Sequence, residues 1–251
     1  GGECPLQNLT MKFGPSETRF EFSEKSHNEK QVPLGDLIYL DRERCIQCGR
    51  CVRFQEQVVD DPVIGLYNRG RELEIISFSE PGFDSIFSGN TTDICPVGAL
   101  TTADFHFGAR PWEMQAKDSI CTQCPVGCNI TYNIRREAKS DGRMVIKRVM
   151  PRQNEEVNEI WICDKGRFTY HYYESSERLT KPLVKKDGEL VETSWDEAIK
   201  LAAENVRAAG SRLAVIASGR LSNEDLFTLK EFTGKVEGKA ILHTTISGGD
   251  M

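Results

Sequence analysis

The most regular hydrophobic pattern in the chain lies between residues 195 and 209. Apolar side chains recur there every three or four positions, which is the period of an amphipathic helix. Ser194 and Glu197 have the spacing of a capping box, so we predict that the helix begins directly after Ser194. We assign the apolar stripe to the core; it consists of Trp195, Ala198, Ile199, Ala202, Val206 and Ala209.

Strand-like and helix-like segments alternate after this stripe. The short apolar segment RLAVIAS, residues 212–218, predicts a buried strand. Ser222 predicts the N-cap of a helix that begins at Asn223, and KAILHTT, residues 239–245, predicts another strand. The order helix, strand, helix, strand is typical of a parallel α/β sheet, so we predict that residues 178–251 form the beginning of an α/β domain.

The middle of the chain has shorter patterns. NITYNIRR (129–136) and GRMVIKRVM (142–150) alternate or carry β-branched residues around the turn KSDG, and they predict two strands. We therefore expect a small β-rich domain over residues 113–177. Further upstream, VGALTTADF (97–105) predicts a short helix. The expected fold class is thus a multidomain α+β and α/β protein.

Composition and charge narrow the function classes. The chain has 251 residues, of which 39% are apolar and 28% charged, as in ordinary soluble globular proteins with more than one domain. A net charge of -6 argues against a nucleic-acid partner, whose phosphates require a basic face. We find neither an apolar run of the roughly 18 residues that span a bilayer nor a signal peptide. Because the chain opens on Gly1 without an initiator Met, we expect it to be an internal piece of a longer protein.

Cysteine is the residue type that most narrows the chemistry. Disulfide frameworks belong to short secreted chains, whereas this chain is long and acidic. Its nine cysteines also group at metal-ligand spacing, which favours metal or cluster ligation. A structural zinc module stays open as an alternative, because zinc also takes four thiolates. The groups are Cys45, Cys48 and Cys51; Cys95; Cys121, Cys124 and Cys128; and Cys163, with Cys4 alone.

The first group has C-x2-C-x2-C spacing, but Gln55 stands where a bacterial ferredoxin has its fourth cysteine. In two-cluster ferredoxins the fourth cysteine of each run precedes proline and ligates the other cluster, and Cys95-Pro96 meets that description. We therefore predict a 4Fe-4S site made of Cys45, Cys48, Cys51 and Cys95. Counting back from Cys95, the remaining ligand positions of the second cluster hold Ser85, Ser88 and Thr91. The pattern predicts a ferredoxin-like domain over residues 37–112 with one of its two clusters lost.

The second group has the spacing C-x2-C-x3-C-x34-C. Three clustered thiols and a distant fourth suit a cubane, in which three corners are met locally and one remotely. The β-rich domain is therefore predicted to hold a second 4Fe-4S cluster on Cys121, Cys124, Cys128 and Cys163.

Several motifs together resemble one family. They are GGEC-x-LQ, CIQCGRCVRF, SGNTTDICPVGAL, RPWEM, CTQCPVGCNI, VNEIWICDKGRF, RLTKPLV and SWDEAI. The chain resembles the large iron–sulfur subunit of bacterial NADH:quinone oxidoreductase, respiratory complex I, most specifically from Cys45 to Phe168. From Gly188 onward the likeness extends to the molybdopterin-oxidoreductase superfamily.

The resemblance implies an electron relay from NADH and flavin toward quinone, without a substrate site in this chain. It also implies that Cys4 is the last ligand of a His/Cys3 4Fe-4S cluster, so residues 1–36 would end that segment and the full-length protein would hold a third cluster. The implied partners are the flavin-bearing NADH-oxidising subunit and the quinone-side iron–sulfur subunits. The implied location is a peripheral arm on the cytoplasmic side of the inner membrane, with the membrane contacted only indirectly.

A second family shares part of the pattern. Molybdenum or tungsten formate dehydrogenases have a similar cubane and α/β arrangement, with a lysine between cluster and pterin to which Lys165 would correspond. That family resembles an intact two-cluster ferredoxin in the middle segment and carries a thiol or selenol metal ligand after the strand that corresponds to KAILHTT. Both features are missing from this sequence. We therefore expect no bound molybdopterin, and Lys165 would contact a cofactor only if a pterin were present.

Overall fold

The computed structural model describes residues 2–15, 17–25, 27–80 and 82–243. The described residues of Gly1–Cys121 and Cys128–Thr169 form one compact unit, and those of Thr122–Gly127 and Tyr170–Gly249 form a second. The first unit therefore contains the cysteines of the first group and most of those of the second. Among the described residues, no helix combines the length and the apolar character needed to cross a bilayer.

The first unit is built from short helices and small antiparallel sheets. Its helices are α1 (Pro5–Phe13), α2 (Arg50–Gln57), α3 (Asn90–Ile94) and α4 (Asp164–Phe168). Its strands are β1 (Val32–Pro33), β2 (Ile38–Leu40), β3 (Ile64–Tyr67), β4 (Glu74–Ser77), β5 (Leu100–Thr102), β6 (Gln115–Ile120), β7 (Asn129–Arg136) and β8 (Met144–Pro151). This mixture is consistent with the predicted α+β class.

The core of the ferredoxin-like part lies beside the three-stranded sheet β1-β2-β5. Strand β2 pairs antiparallel with both neighbours. Its Ile38 and Leu40 are fully buried and pack in one cluster with Phe83 and Val97. Cys51 belongs to the same cluster, and Cys4, Cys45 and Cys95 pack against it. The hydrophobic core therefore abuts the first group of thiols directly.

The predicted helix over residues 97–105 is wrong. Residues Leu100–Thr102 form strand β5, which pairs with Ile38–Leu40, and the chain turns after it. The β-branched Thr101 and Thr102 suit a pleated strand, and pairing with β2 outweighs the helical preference of the neighbouring alanines. The helix of this region lies earlier, at α3, and ends directly before Cys95.

The predicted strand pair of the β-rich part is confirmed. β7 and β8 pair antiparallel around the turn at residues 139–142, with a register shift between Asn133 and Ile134. Strand β6, which was not predicted, pairs with the other edge of β7. Its sequence QAKDSI is polar and largely exposed, so it lacks the apolar alternation that marks a half-buried strand.

The second unit contains β9 (Leu183–Lys186), β10 (Glu189–Glu192), α5 (Trp195–Ala209), β11 (Ala214–Ser218), α6 (Asn223–Lys235) and β12 (Lys239–His243). β11 and β12 are parallel, as predicted, with α6 between them in the chain. The predicted N-caps are confirmed, because the Ser194 and Ser222 hydroxyls accept the N–H groups of Glu197 and Asp225 at 3.2 and 3.1 Å. Thr244 and Thr245, the end of the last predicted strand, lie outside the described residues.

The expectation that the stripe of α5 and strand β11 are buried is wrong. Trp195 is 69% exposed, no residue of α5 is buried, and Ile216 of β11 is 73% exposed. A sheet of two parallel strands offers too little surface to cover a fifteen-residue helix and both of its own faces. The periodicity therefore predicted the helix correctly but not the burial of its apolar face.

Candidate metal centres

Cys45, Cys48, Cys51 and Cys95 line one cavity, and from here on the first group means these four cysteines. Cys45 and Cys48 lie in the loop before α2, Cys51 lies in the first turn of α2, and Cys95 caps the end of α3. Gly49, the N-cap of α2, has φ +69°, a left-handed conformation that turns the loop back between Cys48 and Cys51. All four thiols line the cavity together with apolar side chains, among them Leu40, Ile75, Val97 and Leu100. The structure thus brings together all four residues that the spacing predicted.

The electrostatics of these thiols reflect their burial and their closeness. Burial, with smaller contributions from the neighbouring Cys95, Cys45 and Cys48, raises the pKa of Cys51 to about 12. Burial also raises the pKa of Cys45, with smaller contributions from Cys95 and Cys48. Thiols in such a site ionise when a metal draws off their protons, because the ligand is the thiolate. A group of soft, converging sulfur donors in a largely apolar wall, to which Arg50 also contributes, fits an iron–sulfur cluster.

Two thiols of the second group meet at helix α4. Cys163 is the N-cap of α4, and its Sγ accepts the Gly166 N–H at 3.4 Å. A Cβ on Gly166 would lie 3.2 Å from Cys121 Sγ and 3.8 Å from Cys163 Sγ, so both sulfurs approach the same point. Cys128 is held near Cys121, because its carbonyl accepts the Cys121 N–H at 2.8 Å. Cys124 is buried and belongs to the Thr122–Gly127 segment of the second unit.

Within the described residues, no three His, Cys, Asp or Glu side chains are grouped as they would be around a single metal ion. A structural zinc takes its four thiolates at about 2.3 Å from one point. The first group of cysteines instead lines a cavity wall shared with apolar side chains. This arrangement suits a cluster in which each iron takes one thiolate.

Cys4 lies beside the first group. It is the N-cap of α1, and its Sγ accepts the Gln7 N–H at 3.3 Å. The Leu6 N–H donates to the Pro96 carbonyl at 3.4 Å, directly after Cys95. A Cβ on Gly98 would lie 3.1 Å from the Glu3 carbonyl oxygen and 4.0 Å from Cys4 Cβ. The segment that carries Cys4 therefore packs onto the Cys95–Gly98 segment.

Lys165 lies on α4, two residues after Cys163, and it is exposed. Its backbone carbonyl accepts the Thr169 hydroxyl at 2.6 Å.

The positions that would ligate a second ferredoxin cluster are buried and polar. Gln55, Ser88 and Thr91 are fully buried and Ser85 is nearly so. The Thr91 hydroxyl donates to the Ser88 carbonyl at 2.7 Å, and Ser88 Oγ donates to Asp164 Oδ2. Both polar atoms of the Gln55 amide lack a hydrogen-bond partner among the described atoms.

Sequence reasoning missed Asp164 and Arg167. Both are buried on α4 and bond to residues 88–93, more than 70 positions away in sequence. Their only sequence signal is that two residues of opposite charge closely follow a predicted metal ligand.

Comparison with known proteins gives the same order of segments. Residues 35–101 match the ferredoxin-like domain of NADH-quinone oxidoreductase subunit 3, and residues 114–171 match the NDSU1/NuoG-like 4Fe-4S domain of NADH-ubiquinone oxidoreductase. Residues 178–249 match the molybdopterin oxidoreductase family. These three segments define an iron–sulfur oxidoreductase subunit.

Individual relatives agree with this class. The chain is 42% identical to the G subunit of NADH-quinone oxidoreductase from Streptomyces coelicolor over 97% of its own length and 29% of the relative. It is 40% identical to subunit 3 of the Thermus thermophilus enzyme over 100% of its own length and 34% of the relative. It is 38% identical to the G subunit from Rickettsia conorii over 94% and 34%, respectively. Over nearly its whole length the chain is thus similar to the G and 3 subunits of NADH-quinone oxidoreductase, and it spans about a third of the length of these relatives.

Proposed function

We propose that the chain relays electrons within an NADH-quinone oxidoreductase, from NADH and flavin toward quinone, through 4Fe-4S clusters. The observation that carries the proposal is the cavity lined by Cys45, Cys48, Cys51 and Cys95. The relatives' names support the same activity. The chain itself supplies no substrate site in this proposal. It belongs to the enzyme as the subunit that holds and spaces the redox groups.

In this proposal the first cluster is held by the four cysteines of that cavity, and the second by Cys121, Cys124, Cys128 and Cys163. A bound 4Fe-4S cluster supplies one-electron redox chemistry, with a potential set by its charge, by hydrogen bonds to sulfur and by solvent exposure. The protein tunes these properties. Leu40 and Ile75 give the first cavity apolar lining, and the Gly166 N–H donates to Cys163 Sγ in the second site.

Cys4 is proposed to be a ligand of a third 4Fe-4S cluster in the full-length protein, of the His/Cys3 type. Its place as the N-cap of α1, against the Cys95–Gly98 segment, supports a relay between neighbouring sites. A single thiolate cannot hold a tetranuclear cluster, so this proposal requires that the full-length protein supply the histidine and the other two cysteines.

The proposed partners are the other subunits of the complex, above all the flavin-bearing NADH-oxidising subunit and the quinone-side iron–sulfur subunits. The proposed location is the peripheral arm on the cytoplasmic side of the inner membrane. The subunit names of the relatives support membership of such a complex. We propose no nucleic-acid partner, and contact with the membrane only through other subunits.

We also propose that no molybdopterin binds, although residues 178–249 match the molybdopterin oxidoreductase family. No cysteine follows Cys163, so the chain has no thiol ligand for molybdenum in that segment. Lys165 would then be a surface residue without a cofactor contact. Pterin released from the purified protein and oxidised to its fluorescent form should give no signal, and a stoichiometric signal would contradict this part of the proposal.

Iron and acid-labile sulfide per chain, measured together with low-temperature EPR, test the function. Two cubanes contribute about eight irons and eight sulfides. Two distinct cubane signals in the reduced protein support the relay. Zinc without sulfide would contradict it and would leave a structural zinc module.

A further inference from the structure

A buried polar network joins two segments of the first unit that are far apart in sequence. On one side lies the segment 85–93, which carries the positions of the missing ferredoxin cluster. On the other side lies α4 with Ile162 before it. The Asp164 N–H donates to the Ile86 carbonyl at 2.7 Å, and the Gly89 N–H donates to Asp164 Oδ1 at 2.8 Å. The second carboxylate oxygen of Asp164 accepts the Ser88 hydroxyl.

Both polar atoms of the Asn90 side-chain amide form hydrogen bonds with the backbone of Ile162, the residue before Cys163. Its Nδ2 donates to the Ile162 carbonyl at 2.9 Å, and its Oδ1 accepts the Ile162 N–H at 3.2 Å. Asn90 and Ile162 are both fully buried. The amide thus replaces the pairing that a neighbouring strand would give to the backbone of residue 162.

Arg167 completes the network from the other end of α4. It is 3% exposed, and its two terminal nitrogens form a fork on the Asp93 carboxylate. A Cβ on Gly89 would clash with Arg167 Cδ and Nε, so the segment 85–93 fits closely around this side chain. Only glycine at position 89 leaves room for the arginine in this position.

The two buried charges of α4 depend on their partners in the segment 85–93. A buried carboxylate and a buried guanidinium are costly unless each is paired and hydrogen-bonded. Arg167 Nη1 also contacts Met150 Sδ at 3.9 Å, and the two charges attract each other, but the oxygen and nitrogen partners of both side chains lie in the segment 85–93. Removal of those partners would leave two buried charges with little compensation. The segment 85–93 therefore supplies the polar groups that hold α4 in place.

We propose that the segment 85–93, which would carry a cluster in a two-cluster ferredoxin, instead binds α4, and that Asp164 and Arg167 are positioning residues for Cys163. Cys163 directly precedes Asp164, and Cys95 follows Asp93 by two residues. The network therefore sets the placement of one ligand of the second cluster relative to one ligand of the first. This inference rests on the proposed function, since it assumes that both cysteines bind clusters.

The test uses the full-length protein in its assembled complex, with Arg167→Gln and, as a milder change, Ser88→Ala. Loss of a partner that orients a metal ligand typically weakens metal binding about 10-fold to 100-fold. We expect Arg167→Gln to speed the loss of second-cluster iron to a chelator by about tenfold and to change the EPR g values of that cluster. Ser88→Ala should act in the same direction but less. The first-cluster signal should not change in either variant.

Two further variants sharpen the test. Arg135→Gln is the matched control, because Arg135 of the same unit also pairs with two carboxylates, Glu113 and Glu137, but is 29% exposed. It should leave both clusters unchanged. Asp93→Asn combined with Arg167→Gln should be less harmful than the product of the two single effects, because both changes remove the same contact.

The outcomes separate this inference from the proposed function. Wild-type protein without two cubane signals would contradict the proposed function itself. Two wild-type signals, with Arg167→Gln and Ser88→Ala indistinguishable from Arg135→Gln, would overturn only the positioning role. Equal loss of both clusters would also overturn it, since that result indicates general destabilisation. If Arg167→Gln does not accumulate, Ser88→Ala decides.

Discussion

At the residue scale, Gly98 allows the segment that carries Cys4 to pack close to the first cluster site. Its φ of +63° is a left-handed conformation, and the Glu3 carbonyl approaches the place where a side chain would begin. Glycine accepts that conformation without steric cost, and its hydrogen leaves room for the segment that carries Cys4. Gly98 thus meets two requirements, a left-handed backbone and space for the Glu3 carbonyl. A glycine that meets only the first requirement allows their energetic costs to be separated.

We predict that Gly98→Ala destabilises the protein more than Gly70→Ala. Gly70 has nearly the same φ, +61°, but nothing lies within 4 Å of its Cβ position. Both changes should cost about 1–2 kcal/mol for the left-handed backbone, and Gly98→Ala should cost about 1 kcal/mol more for the contact with Glu3. Chemical denaturation of the two variants measures the difference. Equal free energies of unfolding would show that the approach of the Glu3 carbonyl carries no energetic weight.

At the scale of elements, α4 matters because its first turn meets the end of β6. Cys163 caps the helix, and Cys121 follows the strand directly. Gly166 is the point of contact between them, since its Cβ position lies within 4 Å of both sulfurs. The absence of a side chain there leaves the space between the two thiols open.

We predict that Gly166→Ala lowers the occupancy of the second cluster and leaves the first unchanged. The added methyl group would crowd the space between the two sulfurs and displace at least one of them. Gly234→Ala on α6 is the matched control, because Gly234 is helical and no atom lies within 4 Å of its Cβ position. It should stabilise the helix by about 0.5–1 kcal/mol. Iron content and EPR of the two variants give the comparison, and an unchanged second-cluster signal in Gly166→Ala would count against the assignment.

Elements with a strong local signal were predictable from the sequence. The capped helix α6 and the strands β7 and β8 follow from N-cap residues, periodicity and turn residues, all of which are local. Strand β5 was mistaken for a helix because its pairing with β2 outweighs local preference. The burial of Trp195 was overestimated because periodicity marks a face but not whether another layer covers it.

For the candidate metal centres, too, the local features were predictable from the sequence and the long-range contacts were not. The short spacing of Cys45, Cys48 and Cys51 and the Cys95-Pro96 pair predicted the four cysteines that line the first cavity, because both are features of ferredoxin cluster motifs. The network of Asp164 and Arg167 could not be predicted, since its hydrogen bonds join residues 72 to 78 positions apart. No periodic pattern links such pairs, and each charge by itself is typical of a solvated surface.

At the scale of the whole molecule, the two proposed clusters have different surroundings. The first lies in the ferredoxin-like part, and the proposed function assigns it to the path between NADH and quinone. The second lies in residues 114–171, directly before the segment 178–249 that matches the molybdopterin oxidoreductase family. Without a pterin, this second cluster has no evident donor or acceptor. Its role would then be to tie Cys121 to Cys163 across the β6-β7-β8 sheet.

We predict that Cys124→Ala lowers the yield or the thermal stability of the assembled complex, while the complex that does assemble keeps most of its turnover per flavin. Loss of a structural metal site loosens the segment that it closes. Val126→Ala, an exposed position in the same loop, is the control and should have little effect. Flavin-normalised NADH-to-quinone activity and thermal unfolding are the measurements. A well-assembled Cys124→Ala complex that transfers no electrons would place the second cluster on the path.

The first cluster provides the most direct test of the electron-relay proposal. Cys48 is the exposed ligand of the first group, so its replacement disturbs the core less than a change at buried Cys51. Val58→Ala, at an exposed position directly after α2, is the control. The measurement is NADH-to-quinone electron transfer in assembled Cys48→Ala complex, with EPR of both clusters. We predict loss of about four irons, loss of the first-cluster signal and no electron transfer, with the second signal retained. Wild-type electron transfer in that variant would contradict the proposal.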